Sequence, residues 1–244
     1  MDSYGRARWP TRGALRPFFR GWFRARTHDE SGWCYPAGPP VVCLLGADPA
    51  RILLIGDGPA AGCGVLTHHL GVAGYLARHL AERLDRGVVV TVAARPRDSA
   101  RSILRRIRDH DLGGYHAIVL MLATTDALCL TSRRSWACSM TGLVRTLTSA
   151  GSASVFVTTT ASVRLARPLS PFRRRVAGEH ARMLDAETRR ICAEAATPMI
   201  RLNAAGELTP RTYAMWGRRI GAHVVRALRP DASSGPTGGS TSRD

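Results

Sequence analysis

Two acidic residues sit in turns that follow apolar runs: Asp57 in Gly56-Asp57-Gly58 and Asp126 in Thr124-Thr125-Asp126. Paired carboxylates can share a proton, act as acid and base, or hold a cation. They can also tie loops down by accepting backbone N–H groups, which is the simpler use of Asp in such turns. Two nucleophile types lie nearby in sequence. Cys63 falls in the Gly-rich turn after Asp57, and Ser99 opens a helical stretch. A thiol there is reactive only if its pKa is lowered, and packing is its alternative; a serine at a helix start serves first as an N-cap. His68 and His69 have no carboxylate partner close in sequence and face either a crevice or solvent. Arg95 and Arg97 flank Pro96, and a guanidinium there suits a carboxylate or phosphate, unless both are solvated loop arginines.

These residues need a scaffold, and the apolar pattern supplies one. Residues 52–55, 88–92, 116–122, 154–159 and 199–202 read as strands, several of them continuously apolar. Between them run helical stripes: Leu70, Ala73, Ala77, Leu80 and Leu84; Ile103 and Ile107; Trp136, Met140, Leu143, Val144 and Leu147; Val176, Met183, Leu184 and Ile191; Tyr213, Trp216, Ile220 and Leu228. Asp98 or Ser99, then Ser132, then Thr209-Pro210 provide helix starts. Continuously apolar strands alternating with helices predict a five-stranded parallel sheet covered on both faces, a three-layer α/β/α sandwich of flavodoxin-like winding. In that winding ligands bind at the carboxyl ends of the strands where strand order reverses. This places Asp57, Gly58, Arg95, Thr125 and Asp126 around one crevice. The Gly-rich turn over 56–64 lacks the Lys and spacing of a P-loop.

The predicted domain spans residues 51–229. Residues 1–50 read as a basic irregular segment and 230–244 as a disordered polar tail. Within the first segment Leu15, Phe18, Phe19, Trp22 and Phe23 recur at helical spacing among arginines, predicting a short amphipathic helix near 14–26, with Pro17 tolerated only near its start. Its apolar face either packs on the domain or meets a membrane surface or protein partner.

The chain has 244 residues, 35 of them basic and 18 acidic, for a net charge of +17. All the basic residues are Arg, consistent with a GC-rich genome. Such a field attracts anions, nucleic acid or an acidic membrane; no run resembles a nucleic-acid module, so a specific nucleic-acid site is not expected. Six cysteines (Cys34, Cys43, Cys63, Cys129, Cys138 and Cys192) form no Cys-x-x-Cys pair and no zinc-finger spacing, and no metal or other cofactor is expected. The expected setting is the reducing cytoplasm, with peripheral membrane attachment as a variant, because there is neither a spanning apolar stretch nor a signal-peptide core.

Over residues 51–228 the chain resembles the SGNH (GDSL-like) hydrolase superfamily, in its bacterial esterase-like branch. Ile55-Gly56-Asp57-Gly58 matches a Gly-Asp-Ser block, Ala123-Thr124-Thr125-Asp126-Ala127-Leu128 a G-x-N-D-A-L block, and Ala204-Ala205-Gly206-Glu207 the D-x-x-H position before the last helix. The resemblance implies a serine nucleophile, an Asp–His pair and an oxyanion-hole Asn. Here Gly58, Ala204, Glu207 and Thr125 stand at those places. It therefore implies the fold without the reacting groups, hence a binding or regulatory protein whose crevice holds a small anionic or acyl ligand. The alternative is a carboxylic ester hydrolase or acyltransferase with a non-family nucleophile, Cys63 or Ser99.

Overall fold

The computed structural model describes residues 9–28, 34–151, 153–160, 169–203 and 207–229, with side chains of α1 described over 13–25. Ala204 and the 230–244 tail lie outside the described residues. The elements in chain order are α1 (Trp9–His28), β1 (Val41–Leu44), β2 (Ala50–Gly56), a 3-10 turn (His68–Leu70), α2 (Val72–Leu84), β3 (Val88–Ala94), α3 (Ala100–Ile107), β4 (Ala117–Met121), α4 (Thr124–Leu128), α5 (Arg133–Ser149), β5 (Ser154–Thr158), α6 (Pro171–Glu194), β6 (Met199–Ile200) and α7 (Pro210–Leu228).

One sheet of six strands, in the order β1-β3-β2-β4-β5-β6, forms the middle layer. The five expected strands are present and parallel, in the expected winding. The sixth corrects the strand count: β1 pairs antiparallel with β3, Val41 opposite Thr91 and Leu44 opposite Val88, so the sheet is mixed. It arises from the stretch before residue 51 that reads as irregular. Four residues, half of them outward-facing, carry too little periodicity to stand out.

Alternation along β2 shows why its sequence is apolar throughout. Leu53 and Ile55 enter a core closed by α3, α5 and α6, with Ile103, Ile107, Trp136, Met140, Leu143 and Leu184. Ile52 and Leu54 enter a second core closed by α2 and α7, with Leu76, Leu80, Tyr213, Trp216 and Ile220. A strand buried on both faces has no polar side to show. The helix starts follow the sequence: Ser102 N–H donates to Ser99 Oγ at 3.2 Å, Ser135 N–H to Ser132 Oγ at 3.2 Å and Thr212 N–H to Thr209 Oγ1 at 3.4 Å. Asp98 is not the cap of α3; it pairs with Arg106 and accepts from the Ser102 hydroxyl.

The basic N-terminal helix packs on the domain. Phe19 is 2% exposed, and Trp22 and Phe23 lie against the first core. Arg16 Nε donates to the Leu130 carbonyl at 2.7 Å, and the Arg173 guanidinium sits over the Trp22 ring, 4.8 Å from its centroid. Phe18 remains 74% exposed. The helix is longer than the sequence suggests, so Pro17 falls inside it. Pro17 and Gly13 both face outward, so the carbonyl left without an N–H partner is exposed to water. Among the described residues no helix is long and apolar enough to cross a membrane.

Candidate functional site

Strand register sets the site. Gly56, the last residue of β2, is opposite Ala94 of β3 and Met121 of β4. The three carboxyl ends are level, so the turns that follow them stand side by side where the winding reverses. At Gly56 the fit is absolute: a Cβ would lie 1.9 Å from the Met121 carbonyl oxygen. That closeness turns the next residue, Asp57, toward the loop after β4.

Asp57 Oδ2 accepts the Thr125 N–H at 2.8 Å. Asp126 Oδ2 accepts the Ala100 N–H at 2.8 Å, and its Oδ1 accepts the Thr131 hydroxyl at 2.7 Å. Thus Asp57 ties the β2 turn to α4, and Asp126 ties α4 to the start of α3 and to the segment leading into α5. Both are buried, 1% and 3% exposed. Burial pushes Asp57 up to about 7 despite the Thr125 and Thr124 hydrogen bonds, and the nearby Asp126 carboxyl adds to the rise. Burial likewise holds Asp126 above the usual carboxylate range. These are the loop-holding duties of the sequence reading, not an exposed acid–base pair. Among the described residues no group of three or more His, Cys, Asp and Glu side chains is placed to hold a metal.

α4 begins at an unusual backbone. Ala123 has φ 101° and ψ −6°, a left-handed conformation that suits glycine and strains any residue with a Cβ. The sequence pattern reads this stretch as a plain loop; the structure makes residues 124–128 one helical turn, which points the Thr125 N–H at Asp57.

The slot above Gly58 is bordered by another residue, Tyr35. A Cβ built there would stand 3.4 Å from the Tyr35 hydroxyl, 3.8 Å from the Pro96 carbonyl oxygen and 4.0 Å from the Cys63 Cβ. Tyr35 belongs to a strap pinned on the turn: Gly64 N–H donates to the Cys34 carbonyl at 2.8 Å and Ala37 N–H to the Leu66 carbonyl at 3.3 Å. From the other side, the Tyr213 hydroxyl of α7 donates to the Cys63 carbonyl at 2.5 Å. Burial raises the Tyr35 phenol above its usual range, and the adjacent Cys63 and Asp57 add to it. Burial pushes the Cys63 thiol up to about 11, so it stays protonated at neutral pH. Sequence reasoning missed Tyr35, because its contact with Gly58 is a product of the chain crossing itself.

On the α3 and α5 side of the site lies a cavity of about 440 Å³. Of the candidate residues, Thr125, Asp126, Arg97 and Ser99 line it. Asp57, Gly58, Arg95, Cys63, His68, His69 and Glu207 do not. Arg95 and Glu207 are exposed, and the Glu207 carbonyl accepts the Thr212 hydroxyl. His69 is exposed; His68 is half-buried, and burial with the neighbouring His69 lowers its pKa. The cavity gains wall residues from α1 that the sequence had assigned only to an amphipathic face: Arg20, Phe23 and Arg24.

The sheet order, the level strand ends and the Asp57–Thr125 tie define an α/β/α scaffold of the SGNH-hydrolase kind. The chain belongs to the GDSL-like Lipase/Acylhydrolase family, whose sequence profile matches residues 54–228. Among the solved structures that share the fold are three hydrolases. A lipase/acylhydrolase from Enterococcus faecalis is 20% identical, with a TM-score of 0.59 over 74% of this chain and 98% of that one. Axe2, an acetylxylan esterase from Geobacillus stearothermophilus, is 13% identical, with a TM-score of 0.57 over 74% and 95%. The psychrotrophic esterase EstA from Pseudoalteromonas sp., solved inhibited by monoethylphosphonate, is 14% identical, with a TM-score of 0.56 over 73% and 98%. At these identities the likeness is one of fold. No curated protein matches the chain.

Proposed function

We propose that this family member is a non-catalytic binding or regulatory protein on a hydrolase scaffold. The observation that carries the reading is the pair Gly58 and Tyr35: the position after Gly56-Asp57 has no side chain, and a phenol stands over it. Acyl transfer on this scaffold needs a nucleophile with a base beside it and donors for the oxyanion. Gly58 cannot attack, exposed Glu207 replaces an imidazole, and Thr125 has a shorter arm than Asn. Loss of nucleophile and base in serine hydrolases costs on the order of 10⁴- to 10⁶-fold in kcat.

Neither of the two candidate substitute nucleophiles is favoured. Cys63 is buried with its thiol held protonated, and Ser99 Oγ accepts from Ser102 N–H as the cap of α3. The test is covalent labelling. The full chain is incubated with a fluorophosphonate probe and its intact mass measured. The reading expects no adduct; a stoichiometric adduct on one serine, threonine, tyrosine or cysteine would overturn it.

A further inference from the structure

Helix α1 keeps its arginines off its outer face. A helix resting on a domain ordinarily hides an apolar stripe and shows water a charged one. Here Arg16 Nε donates to the Leu130 carbonyl, and Arg20 and Arg24 line the cavity on the α3 and α5 side. The other side of the helix carries Ala14, Pro17, Phe18, Gly21 and Ala25, which recur at helical spacing. All five are exposed and none is charged. A Cβ added at Gly21 would meet nothing within 4 Å, so the stripe is open there.

A second aromatic ring stands near this stripe. The Arg173 guanidinium lies over the Trp22 ring, 4.8 Å from its centroid, so the first turn of α6 borders the same stretch of α1. The next residue along that turn is Phe172, 59% exposed, against 74% for Phe18. Contiguous exposed apolar surface of this kind marks a contact site. Its size and charge say what it meets. Residues 14–25 run about 17 Å along the helix axis, a strip of a few hundred Å² that falls short of the ~800 Å² per partner of a stable protein interface. α1 contains no Asp or Glu, the first turn of α6 has none, and the chain carries a net charge of +17. An anionic surface therefore approaches this face attracted by the whole protein, and neither helix end opposes it with a carboxylate.

We propose that the outer stripe of α1, with Phe172 of α6, docks this protein on an anionic lipid bilayer. α1 lies along the membrane plane, and the Phe18 and Phe172 rings enter the boundary between headgroups and acyl chains. No charge on the stripe has to leave water for this, because the stripe has none. Arg173 and Arg174 flank Phe172 in sequence and meet lipid phosphates at the edge of the contact. The contacting face differs from the one the aromatic spacing of the sequence suggests: Phe19, Trp22 and Phe23 are taken up by the domain, and Phe18 is the ring of α1 left outside. The proposal goes beyond the non-catalytic reading and uses none of the residues around Gly58.

The test is flotation of the full chain with vesicles of phosphatidylcholine alone and of phosphatidylcholine mixed with phosphatidylglycerol. Wild type is compared with Phe18→Ala, Phe172→Ala and, as a control that removes an exposed apolar side chain elsewhere, Leu45→Ala. All three side chains are exposed, and melting temperatures check that each variant folds. The expected result is binding that needs phosphatidylglycerol, weakened about tenfold by Phe18→Ala, weakened less by Phe172→Ala and unchanged by Leu45→Ala. Absence of flotation would overturn the proposal, as would equal flotation with phosphatidylcholine alone. Binding to the mixed vesicles that Phe18→Ala leaves intact would mean diffuse charge attraction, and would overturn the stripe as the contact. A second arm is sedimentation velocity of the lipid-free chain, which should show a monomer. A concentration-dependent dimer abolished by Phe18→Ala would assign the stripe to a second copy of the chain and overturn the bilayer. Ester turnover plays no part in these readouts, so failure here and failure of the non-catalytic reading are separate events.

Discussion

The hydroxyl of Tyr35 stands 3.4 Å from the point where a side chain at Gly58 would begin. Two segments far apart in the fold's wiring meet there: the strap leading into the antiparallel edge strand β1, and the turn after the central strand β2. The strap is therefore part of the site's architecture, in van der Waals contact with the point where a nucleophile's side chain would begin.

Gly56 and Gly58 should respond differently to a methyl group. Gly56→Ala would drive Cβ into the Met121 carbonyl at 1.9 Å, forcing β2 and β4 apart. A cost above about 3 kcal/mol, or failure to fold, is expected. At Gly58 the same methyl meets nothing closer than 3.4 Å, and φ is not in the left-handed region, so Gly58→Ala should cost less than about 1 kcal/mol. Chemical denaturation of both variants checks the contrast. Serine at 58 should be accommodated equally well and still give no esterase activity.

Ala123 holds a conformation that glycine adopts freely, with φ 101°. Ala123→Gly should raise stability by about 1 kcal/mol, the relief of a strained Cβ outweighing glycine's added freedom in the unfolded chain. Thermal unfolding should shift up by a few degrees. A lower melting temperature would mean that the strain is absent in solution.

Asp57 gives the chain a pH dependence of definite sign. Its folded-state pKa is raised to about 7 from an ordinary 3.8, so between those values the folded chain keeps a proton that the unfolded chain has released. Stability therefore falls, on this group's account, as pH rises from about 4 to about 7. Asn at this position keeps an acceptor for Thr125 N–H and does not titrate. Asp57→Asn should thus gain on the wild type through that window, by at most about 4 kcal/mol at its upper end. Urea midpoints of both proteins at several pH values measure the slope; parallel curves would contradict it.

Phe19 and Phe18 are neighbours with opposite fates on α1. Phe19→Ala should cost about 3 kcal/mol through lost packing, and Phe18→Ala almost nothing, because one is 2% and the other 74% exposed. Equal, negligible losses would mean that α1 does not rest on the domain in solution. Only then would its whole aromatic face be available to a membrane or partner.

Much of this arrangement is legible in the residues. Ile52, Leu53, Leu54 and Ile55 announce a strand covered on both faces, and Ser99, Ser132 and Thr209 mark helix starts, because caps and apolar runs are local signals. The strand at Val41–Leu44 is not legible: it is short, half-exposed at the sheet edge, and follows two prolines. The turn of helix after Ala123 is hidden because Thr-Thr-Asp reads equally as loop. Asp57 and Asp126 are visible as candidates, but their tethering roles depend on which N–H groups the fold brings to them. The arginine-lined cavity is a non-local product: Arg20 and Arg24 look like the polar stripe of a helix until that helix docks beside Arg97 and Arg101.

The central claim concerns the missing reaction, and steady-state kinetics with short-chain p-nitrophenyl esters tests it most directly. The full chain should give no saturable turnover above a buffer blank, and Cys63→Ala and Ser99→Ala should leave that background unchanged. Saturable hydrolysis abolished by either substitution would contradict the account.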